Sequence, residues 1–226
     1  MVRENTEDFY IRTGARINGK EKVGTYVTTL KRTADQLDLQ VHTELSAEYA
    51  YAFNLGLITA GGAERISRWA FELAGQEERQ EVTIITKRNA NPQMYSIWED
   101  AFFKVAERYP EIQAEELNVD VAAMCLVRDP PSFPIILISN LFGDILSDLA
   151  AEICGSLGFG GNGNANPNGV SIFEPIHDSV PKYAGVNGAN PIATIIVGSM
   201  MMENLGAALI SRRIDRAICA TGLWEN

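Results

Sequence analysis

The segment IILISNLFGDILSDLAAEI, residues 135–153, combines a strand pattern with a helix pattern. Residues 135–139 form a short apolar run of the kind that buried strands show. From residue 140 onwards the apolar residues recur at steps of three and four, which is the period of one helix face. These residues are Leu141, Phe142, Ile145, Leu146, Leu149 and Ile153. A buried strand that runs directly into a helix is typical of α/β proteins.

The same alternation extends through the middle of the chain. Residues 81–87 are rich in β-branched side chains and precede a segment, residues 92–110, whose apolar positions mark one helix face. Further helices are predicted at residues 62–74 and 190–206, and the apolar run 121–127 is typical of a second buried strand. Together these patterns predict an α/β fold.

Two segments interrupt this alternation. Residues 14–50 contain charged and Thr-rich pieces with weak two-residue alternation, which favours an antiparallel arm over a βα unit. Residues 155–170 contain six Gly, four Asn and one Pro. That composition predicts a loop and a domain boundary.

Composition limits the classes of function. The 226 residues carry 29 acidic and 19 basic side chains, a formal charge of -10, which argues against nucleic acid or an anionic membrane as the main partner. The start of the chain does not resemble a signal peptide, and the longest apolar runs are too short to span a bilayer. The three cysteines are widely spaced, as expected for reduced thiols, so we predict a cytoplasmic protein.

Asp144 and Asp148 lie four residues apart in the predicted helix and therefore stack on one face. One interpretation is structural: Gly143 ends the strand, Asp144 lies near the helix N-terminus where the dipole favours a carboxylate, and Asp148 faces solvent. The other is a divalent cation such as Mg²⁺, which prefers oxygen ligands. Asp120 precedes an apolar run, where a solvated charge is less expected, and is a third candidate ligand.

Other candidates for chemistry lie at the ends of predicted elements. Lys87 ends a predicted strand, where α/β proteins place functional groups, although a solvent-directed lysine is the simpler interpretation. Arg3 and Tyr10 flank the acids of RENTEDFY and could bind a carboxylate and donate a proton. His177 lies in a Pro-bounded loop and is either structural or functional.

Seven segments, taken in order along the chain, resemble the β-decarboxylating dehydrogenases, which include isocitrate, homoisocitrate, 3-isopropylmalate and tartrate dehydrogenases. The segments are RENTEDFY (3–10), AERISRWAFELA (63–74), TKRNANPQMYSIWEDAFFKVA (86–106), DVAAMCLVRDP (120–130), SNLFGDILSDLAAE (139–152), FEPIHDSVPKYAG (173–185) and GANPIATIIVGSMMMENLG (188–206). Compared with the family, the chain lacks an N-terminal segment and the extreme C-terminus.

The resemblance implies an isocitrate/isopropylmalate dehydrogenase-like α/β fold that is partial, is not a classical Rossmann fold and carries an antiparallel β arm. Residues 1–13 and 54–154 would form a small α/β domain that holds the dimer interface, the metal site and the catalytic residues. Residues 14–53 would form the arm, or clasp. Residues 155–226 would belong to the large cofactor-binding domain.

The resemblance also assigns roles in the active site. Arg3 resembles the family's substrate-binding arginine, and Tyr10 and Lys87 resemble its catalytic pair. The metal ligands, for Mg²⁺ or Mn²⁺, would be Asp120, Asp144 and Asp148. The cofactor-binding residues would be His177, Lys182, Tyr183 and Asn190, and the Lys182–Tyr183 pair favours NADP over NAD, since a cation and a phenol suit a 2′-phosphate.

The implied function is metal-dependent, NAD(P)-linked oxidation of a D-type 2-hydroxy acid, usually with decarboxylation. Isocitrate, tartrate or malate, and 3-isopropylmalate are the expected substrate types. The expected assembly is a homodimer in which Lys87 and Asp120 complete the partner's site. Two alternatives stay open: a non-catalytic or truncated subunit that acts through dimerisation, and a Mg²⁺-dependent hydrolase that uses the aspartates.

Overall fold

The description of the chain rests on a computed structural model. It covers residues 1–17, 25–31, 36–42, 50–166, 169–177, 181–186 and 188–221, without the side chains of 17, 25–31, 36–42, 51 and 182. The contacts divide into two compact units, residues 1–145 and 146–226. The first unit contains the predicted arm and most of the predicted small domain, whereas residues 146–154 of that domain fall in the second unit. The role given to each domain stays a prediction.

The strands and helices follow one another in the order that the sequence sets. They are β1 (Val2–Arg3), β2 (Asp8–Ile17), β3 (Thr25–Lys31), β4 (Gln36–His42), β5 (Tyr51–Leu57), α1 (Ala60–Gln76), β6 (Glu81–Thr86), α2 (Pro92–Ala106), β7 (Gln113–Asn118), α3 (Val119–Arg128), β8 (Ile135–Ile138), α4 (Asn140–Ile153), β9 (Gly161–Asn164), β10 (Ile172–Pro175), α5 (Ile192–Asn204) and α6 (Ala208–Cys219). Short 3₁₀ turns cover Pro130–Ser132, Leu157–Phe159 and Pro181–Tyr183.

A parallel four-stranded sheet forms the centre of the first unit, in the order β1-β8-β6-β7. All four residues of β8 are buried, as are the last five of β6. A strand covered on both faces reads as a continuous apolar run, and this is the pattern that predicted β8, whereas β6 was predicted from its β-branched residues. The sheet confirms the α/β class, and it places the ends of β1, β6, β7 and β8 at one edge.

The hydrophobic core lies between this sheet and the helices α1 and α2. Phe71 of α1 lies 5.3 Å from Phe102 of α2 between ring centroids, and Trp98 is buried beside them. Tyr109 stacks on Phe71 at 5.3 Å. The two helices begin near their predicted positions because Thr59 caps α1 through the Gly62 amide and Pro92 starts α2.

The predicted antiparallel arm is present. β2 pairs with β5, and β3 pairs with β4 with Thr25 opposite His42. The register of β2 shifts between Asp8 and Thr13, so the strand is irregular between its first residue and the stretch 13–17 that pairs with residues 51–55 of β5. Residues 18–24, 32–35 and 43–49 of the predicted arm lie outside the described residues.

The predicted strand at residues 121–127 is wrong. These residues belong to helix α3, and the strand of this βα unit is the preceding β7. Only Ala122 and Leu126 of α3 are buried, four residues apart, so the apolar run follows a helix face. β7 was missed because it lies at the sheet edge and carries two adjacent acids, Glu115 and Glu116, in place of a continuous apolar run.

The second unit contains a β9–β10 hairpin and the helices α5 and α6. The prediction of a loop over residues 155–170 is partly wrong, because residues 161–164 pair with 172–175. Helix α6 was not predicted. Buried Ser199 of α5 donates to Asp215 of α6 at 2.6 Å and lies 2.9 Å from Ser211, which ties the two helices together.

The structure also bears on the predictions about membrane spans and cysteines. Among them no helix is long and apolar enough to cross a membrane. The three cysteines, Cys125, Cys154 and Cys219, are all free thiols.

Candidate active site

Arg3 lies at the end of β1, where its guanidinium reaches the start of α4. Its Nε donates to the Asn140 carbonyl oxygen at 3.0 Å, and its Nη2 donates to Asn140 Oδ1 at 2.8 Å. Nη1 forms an ion pair with Asp144 Oδ1 at 2.9 Å. These contacts fix the plane of the guanidinium, which is the group suited to paired recognition of a carboxylate.

Tyr10 of β2 meets the same aspartate. Its hydroxyl donates to Asp144 Oδ2 at 2.6 Å, and the Arg3 guanidinium carbon lies 5.4 Å from the centre of its ring. The hydrogen bond to Asp144 is the main cause that raises the pKa of Tyr10, since ionisation would destroy the bond and place two anions together. Tyr10 is therefore an exposed phenol that keeps its proton.

Helix α4 presents Asp144 to both residues. The helix begins at Asn140, so the prediction that Asp144 lies at the helix N-terminus is wrong, and so is the prediction that Gly143 ends the strand. Gly143 lies inside the helix, where a Cβ would come within 2.6 Å of Arg3 Cγ. Glycine is needed there because the arginine side chain crosses the helix backbone at that point.

Lys87 and Asp120 form a second group. Lys87 follows β6, and Asp120 lies in the first turn of α3, directly after β7; the two strands are parallel neighbours, so both residues lie at the same edge. Lys87 Nζ and Asp120 Oδ1 are 2.5 Å apart. The bond from Lys87 is the main cause that lowers the pKa of Asp120, because it stabilises the carboxylate.

The three predicted metal ligands do not assemble within one chain. Among the described residues there is no group of three or more His, Cys, Asp or Glu that could hold a metal ion. Asp144 and Asp148 are exposed residues of the single helix α4, whereas Asp120 is bound to Lys87. Two carboxylates fit the usual protein contribution to a Mg²⁺ site, which completes its shell with water, substrate or further ligands.

The predicted cofactor residues all lie in the second unit. His177 is half-buried directly after β10, and Tyr183 is exposed in a 3₁₀ turn. Asn190 Oδ1 accepts a hydrogen bond from the amide of Ile192, the first residue of α5, at 3.0 Å. The side chain of Lys182 lies outside the described residues.

Sequence reasoning missed several residues that support the site. Asn140 holds Arg3, and Glu4, Glu7 and Asp8 of RENTEDFY are buried acids with structural bonds. Glu4 accepts from Arg65 at 2.7 Å, Glu7 accepts from the Thr59 amide at 2.7 Å, and Asp8 accepts from the Leu141 amide at 2.8 Å. The sequence did show the acids of RENTEDFY next to the candidate catalytic residue Tyr10. A run of acids usually lies in solvent, however, so the sequence alone did not indicate that these acids are buried.

An open groove adjoins Tyr10. Phe9, Tyr10, Arg12, Asn54 and Leu141 line it, so it combines aromatic and aliphatic surface with one guanidinium. Arg12 has a φ of 54°, in the left-handed region, at the irregular part of β2.

Residues 1–222 match the sequence profile of the isocitrate/isopropylmalate dehydrogenase family. The chain belongs to this family. The recognition made from the seven sequence segments is therefore confirmed. The roles of individual site residues are not tested by this match and stay predictions.

Curated members of the isocitrate/isopropylmalate dehydrogenase family give the same assignment. A 3-isopropylmalate dehydrogenase of Clavibacter michiganensis subsp. michiganensis is 39% identical over 175 residues, which are 76% of this chain and 49% of that protein. One from Streptomyces griseus is 36% identical over 222 residues, 97% of this chain and 56% of that protein. The chain thus spans about half the length of the curated relatives that it matches.

Solved structures confirm the fold of this family. An isocitrate dehydrogenase from Methylococcus capsulatus superposes with a TM-score of 0.76 at 32% identity, over 96% of this chain and 56% of that one. The TT0538 protein from Thermus thermophilus superposes with a TM-score of 0.68 at 35% identity, over 90% of this chain and 42% of that one.

Proposed function

We propose that this chain functions as an NAD(P)-linked, metal-dependent dehydrogenase that oxidises a D-type 2-hydroxy acid, usually with decarboxylation. The observation that carries the proposal is the Arg3–Asp144–Tyr10 cluster, found in a chain that matches the dehydrogenase family over residues 1–222. Its relatives are named 3-isopropylmalate dehydrogenase and isocitrate dehydrogenase, which favours a substrate of this class.

Arg3 is assigned to the substrate carboxylate. Its three nitrogen atoms are held by Asn140 and Asp144, yet each terminal nitrogen carries two N–H bonds and retains one for a ligand. Because the guanidinium plane is fixed before a ligand arrives, little rotamer entropy is lost on binding.

Tyr10 and Lys87 are assigned to proton transfer. Tyr10 is neutral near pH 7, as phenols are, and its bond to Asp144 raises its pKa further; in the proposed role it donates its proton to the carbon that CO₂ leaves. Lys87 is assigned to the substrate hydroxyl, whose proton must depart as the hydride leaves. Each role requires the residue to exchange a proton with the substrate.

Asp144 and Asp148 are the residues of this chain assigned to a divalent cation, and His177, Lys182, Tyr183 and Asn190 are assigned to the nucleotide. When bound, the cation acidifies the substrate hydroxyl and stabilises the developing oxyanion, while the nicotinamide accepts the hydride. With Asp120 held by Lys87 elsewhere in the chain, we assign the third carboxylate to a second subunit.

A homodimer is supported by the outer face of α3. Val121, Met124 and Val127 expose 37%, 54% and 66% of their surface, and they lie on the same helix as Asp120. Three apolar side chains at helical spacing are the kind of surface that a partner subunit covers. Pairing through α3 would bring Asp120 to the subunit boundary, where a shared site needs it.

The test is an assay for reduced nicotinamide. The chain is incubated with D-type isocitrate, malate, tartrate or 3-isopropylmalate, with NAD⁺ or NADP⁺, and with Mg²⁺ or Mn²⁺. We expect turnover with one of these acids that stops when the metal is chelated. Tyr10→Phe should lower it by roughly 10²–10⁴-fold, the usual contribution of a general acid.

Asp129→Asn is the matched control, because Asp129 is an exposed acid outside the cluster and its substitution should leave turnover unchanged. Turnover that survives Tyr10→Phe undiminished would contradict the assignment of the phenol.

A non-catalytic subunit that acts through dimerisation is the second candidate, and the observation that favours it is the exposed apolar face of α3, formed by Val121, Met124 and Val127. Calorimetric titration with NAD⁺ and NADP⁺ separates the two functions. A dimer that binds neither nucleotide would favour the subunit, whereas binding of one would favour the dehydrogenase.

A further inference from the structure

We infer that Asp8 is a positioning residue for this site. It fixes the start of α4 against the start of β2, and so holds Asp144 beside Arg3 and Tyr10. The inference rests on the proposed function for its importance to catalysis, but its test needs no turnover.

Asp8 provides a cap for α4 from a distant part of the chain. Its side chain is fully buried, and Oδ2 accepts a hydrogen bond from the Leu141 amide at 2.8 Å. Leu141 is the second residue of α4, where amide groups have no acceptor within the helix. A carboxylate at this end of a helix also interacts favourably with the helix dipole.

The position of Asp8 is costly in two ways. Its φ is +68°, in the left-handed region that non-glycine residues rarely adopt, although aspartate tolerates it better than most. Its second oxygen, Oδ1, is buried and has no hydrogen-bond partner among the residues that the structure describes. A residue held at such cost beside a candidate active site indicates a functional constraint.

The bond from Asp8 is one of several hydrogen bonds that join residues 3–8 to the start of α4. Asn140 Nδ2 donates to the Glu7 carbonyl oxygen at 3.3 Å, and the Asn140 oxygens accept from Arg3. The start of α4 is therefore held by residues 3, 7 and 8 at once. One helical turn later, Asp144 receives both Arg3 and Tyr10.

The Tyr10–Asp144 hydrogen bond should be sensitive to loss of the bond between Asp8 and the Leu141 amide. The Tyr10–Asp144 bond is 2.6 Å long, and a hydrogen bond of this kind weakens steeply when its atoms separate or misalign. If the Leu141 amide loses its acceptor, the first turn of α4 loosens, and Asp144 moves relative to Tyr10. A glycine at position 8 would adopt the same φ without strain but could not cap the helix.

Three variants separate the cap from the backbone conformation. Asp8→Asn keeps the left-handed backbone and an oxygen acceptor, Asp8→Gly keeps the backbone alone, and Asp8→Ala keeps neither. We expect the asparagine variant to stay close to wild type and the other two to lose the coupling.

The measurement is the ¹³Cζ chemical shift of Tyr10 in tyrosine-labelled protein. The Tyr10 signal is assigned by its absence in Tyr10→Phe, and Asp144→Asn gives the shift of a broken bond. In Asp8→Gly and Asp8→Ala the signal should move toward the Asp144→Asn value, and exchange of the Leu141 amide should accelerate about five- to tenfold, the scale of a lost cap. In Asp8→Asn both should stay near wild type.

Val105→Ala is the control for a general loss of stability, because Val105 is a buried core residue that takes no part in these ties. It should leave the Tyr10 signal in place. The inference is overturned if Asp8→Gly retains the wild-type signal and amide protection, or if Val105→Ala shifts Tyr10 equally. If Asp8→Ala does not fold, the asparagine and glycine variants decide.

These outcomes are independent of the proposed function. A chain without turnover whose Tyr10 signal responds to Asp8 supports the positioning role while the dehydrogenase proposal fails. A chain with turnover whose Tyr10 signal ignores Asp8 has the opposite result.

Discussion

Glu99 is a buried acid that lies near one basic residue, Arg88, and one acidic residue, Glu116. It forms an ion pair with Arg88 and lies within hydrogen-bonding reach of Glu116. Burial, followed by the hydrogen bond to Glu116, raises the pKa of Glu99 above the ordinary value of 4.5. The Oε1 atom of Glu99 has no donor among the described residues, and a proton shared with Glu116 would satisfy it.

The raised pKa of Glu99 predicts a pH-dependent stability. The folded state binds the proton more tightly than the unfolded state, so Glu99 stabilises the fold below its unfolded pKa, and this contribution is lost as pH rises through the folded pKa. Glu99→Gln cannot ionise. In urea unfolding, wild type should therefore lose stability relative to Glu99→Gln as pH rises above about 4.5.

The control for this titration is Glu77→Gln, because Glu77 is an exposed acid at the end of α1. A constant difference between wild type and Glu99→Gln from about pH 4 to 8 would contradict the raised pKa.

At the scale of single residues, sequence patterns identified candidates but not their supports. Asp144 was identified because it lies four residues from Asp148 in a helix pattern, and Lys87 because it ends a strand pattern. Asn140 and Asp8 were missed, since their bonds join residues 137 and 133 positions apart in the chain. No local pattern records such a partner, so these roles emerge only from the folded chain.

The first turn of α1 contains two glycines that differ only in their surroundings. A Cβ at Gly62 would lie 2.4 Å from Glu7 Oε1, whereas a Cβ at Gly61 would meet nothing within 4 Å. Glu7 is fully buried and bonded to Thr59, so it cannot withdraw. Gly62 therefore leaves room for a carboxylate that the RENTEDFY segment inserts beneath the helix.

Alanine substitutions should consequently have opposite effects at these two positions. Gly62→Ala should lower the free energy of unfolding by about 1–3 kcal/mol through overpacking. Gly61→Ala should raise it by up to about 1 kcal/mol, because alanine has the higher helix propensity. Urea unfolding of both variants provides the measurement, and each serves as the control for the other. Equal effects would show that propensity, not the contact with Glu7, governs this turn.

At the scale of elements, the buried central strands and the amphipathic helices were predictable. β8 is a continuous apolar run, β6 is rich in β-branched side chains, and α1, α2 and α4 keep a clear helical period. The unit β7–α3 was not, because a short apolar run fits a buried strand and a helix face equally well. Tertiary position decided between them: β7 became the sheet edge, and α3 kept most of its apolar face exposed.

At the scale of the whole molecule, that exposed α3 face predicts self-association. Val127→Asp introduces a charge into the apolar face, so the dissociation constant of the dimer should rise by roughly tenfold or more, as expected for a central interface residue. Sedimentation velocity over a concentration series measures it. Val170→Asp is the control, since Val170 is another exposed apolar residue, outside α3. Equal association of wild type and Val127→Asp would exclude this face from the interface.

The arrangement of the site over two chains was implied by the family resemblance and by nothing in the local patterns. Within one chain, Lys87 is bound to Asp120, and Asp144 is bound to Arg3 and Tyr10. The described residues do not gather three metal-binding side chains in any one place. Sequence spacing cannot show that these residues form two separate groups, because the grouping depends on which strands of the sheet are neighbours.

A shared site predicts that two inactive variants restore each other. Lys87→Ala and Tyr10→Phe should each abolish most turnover. In a mixed dimer one site combines the intact Tyr10 of one chain with the intact Lys87 of the other, whereas the second site carries both substitutions. With random reassortment, half of the dimers are mixed and each has one working site, so turnover should recover to about a quarter of wild type in a symmetric dimer.

The measurement is the dehydrogenase assay after the variants are unfolded and refolded together. The Tyr10→Phe, Lys87→Ala double variant refolded with Tyr10→Phe is the control, because that mixture has no intact Tyr10. Turnover that stays at background, in a mixture shown by mass spectrometry to contain mixed dimers, would place both residues in the site of a single chain.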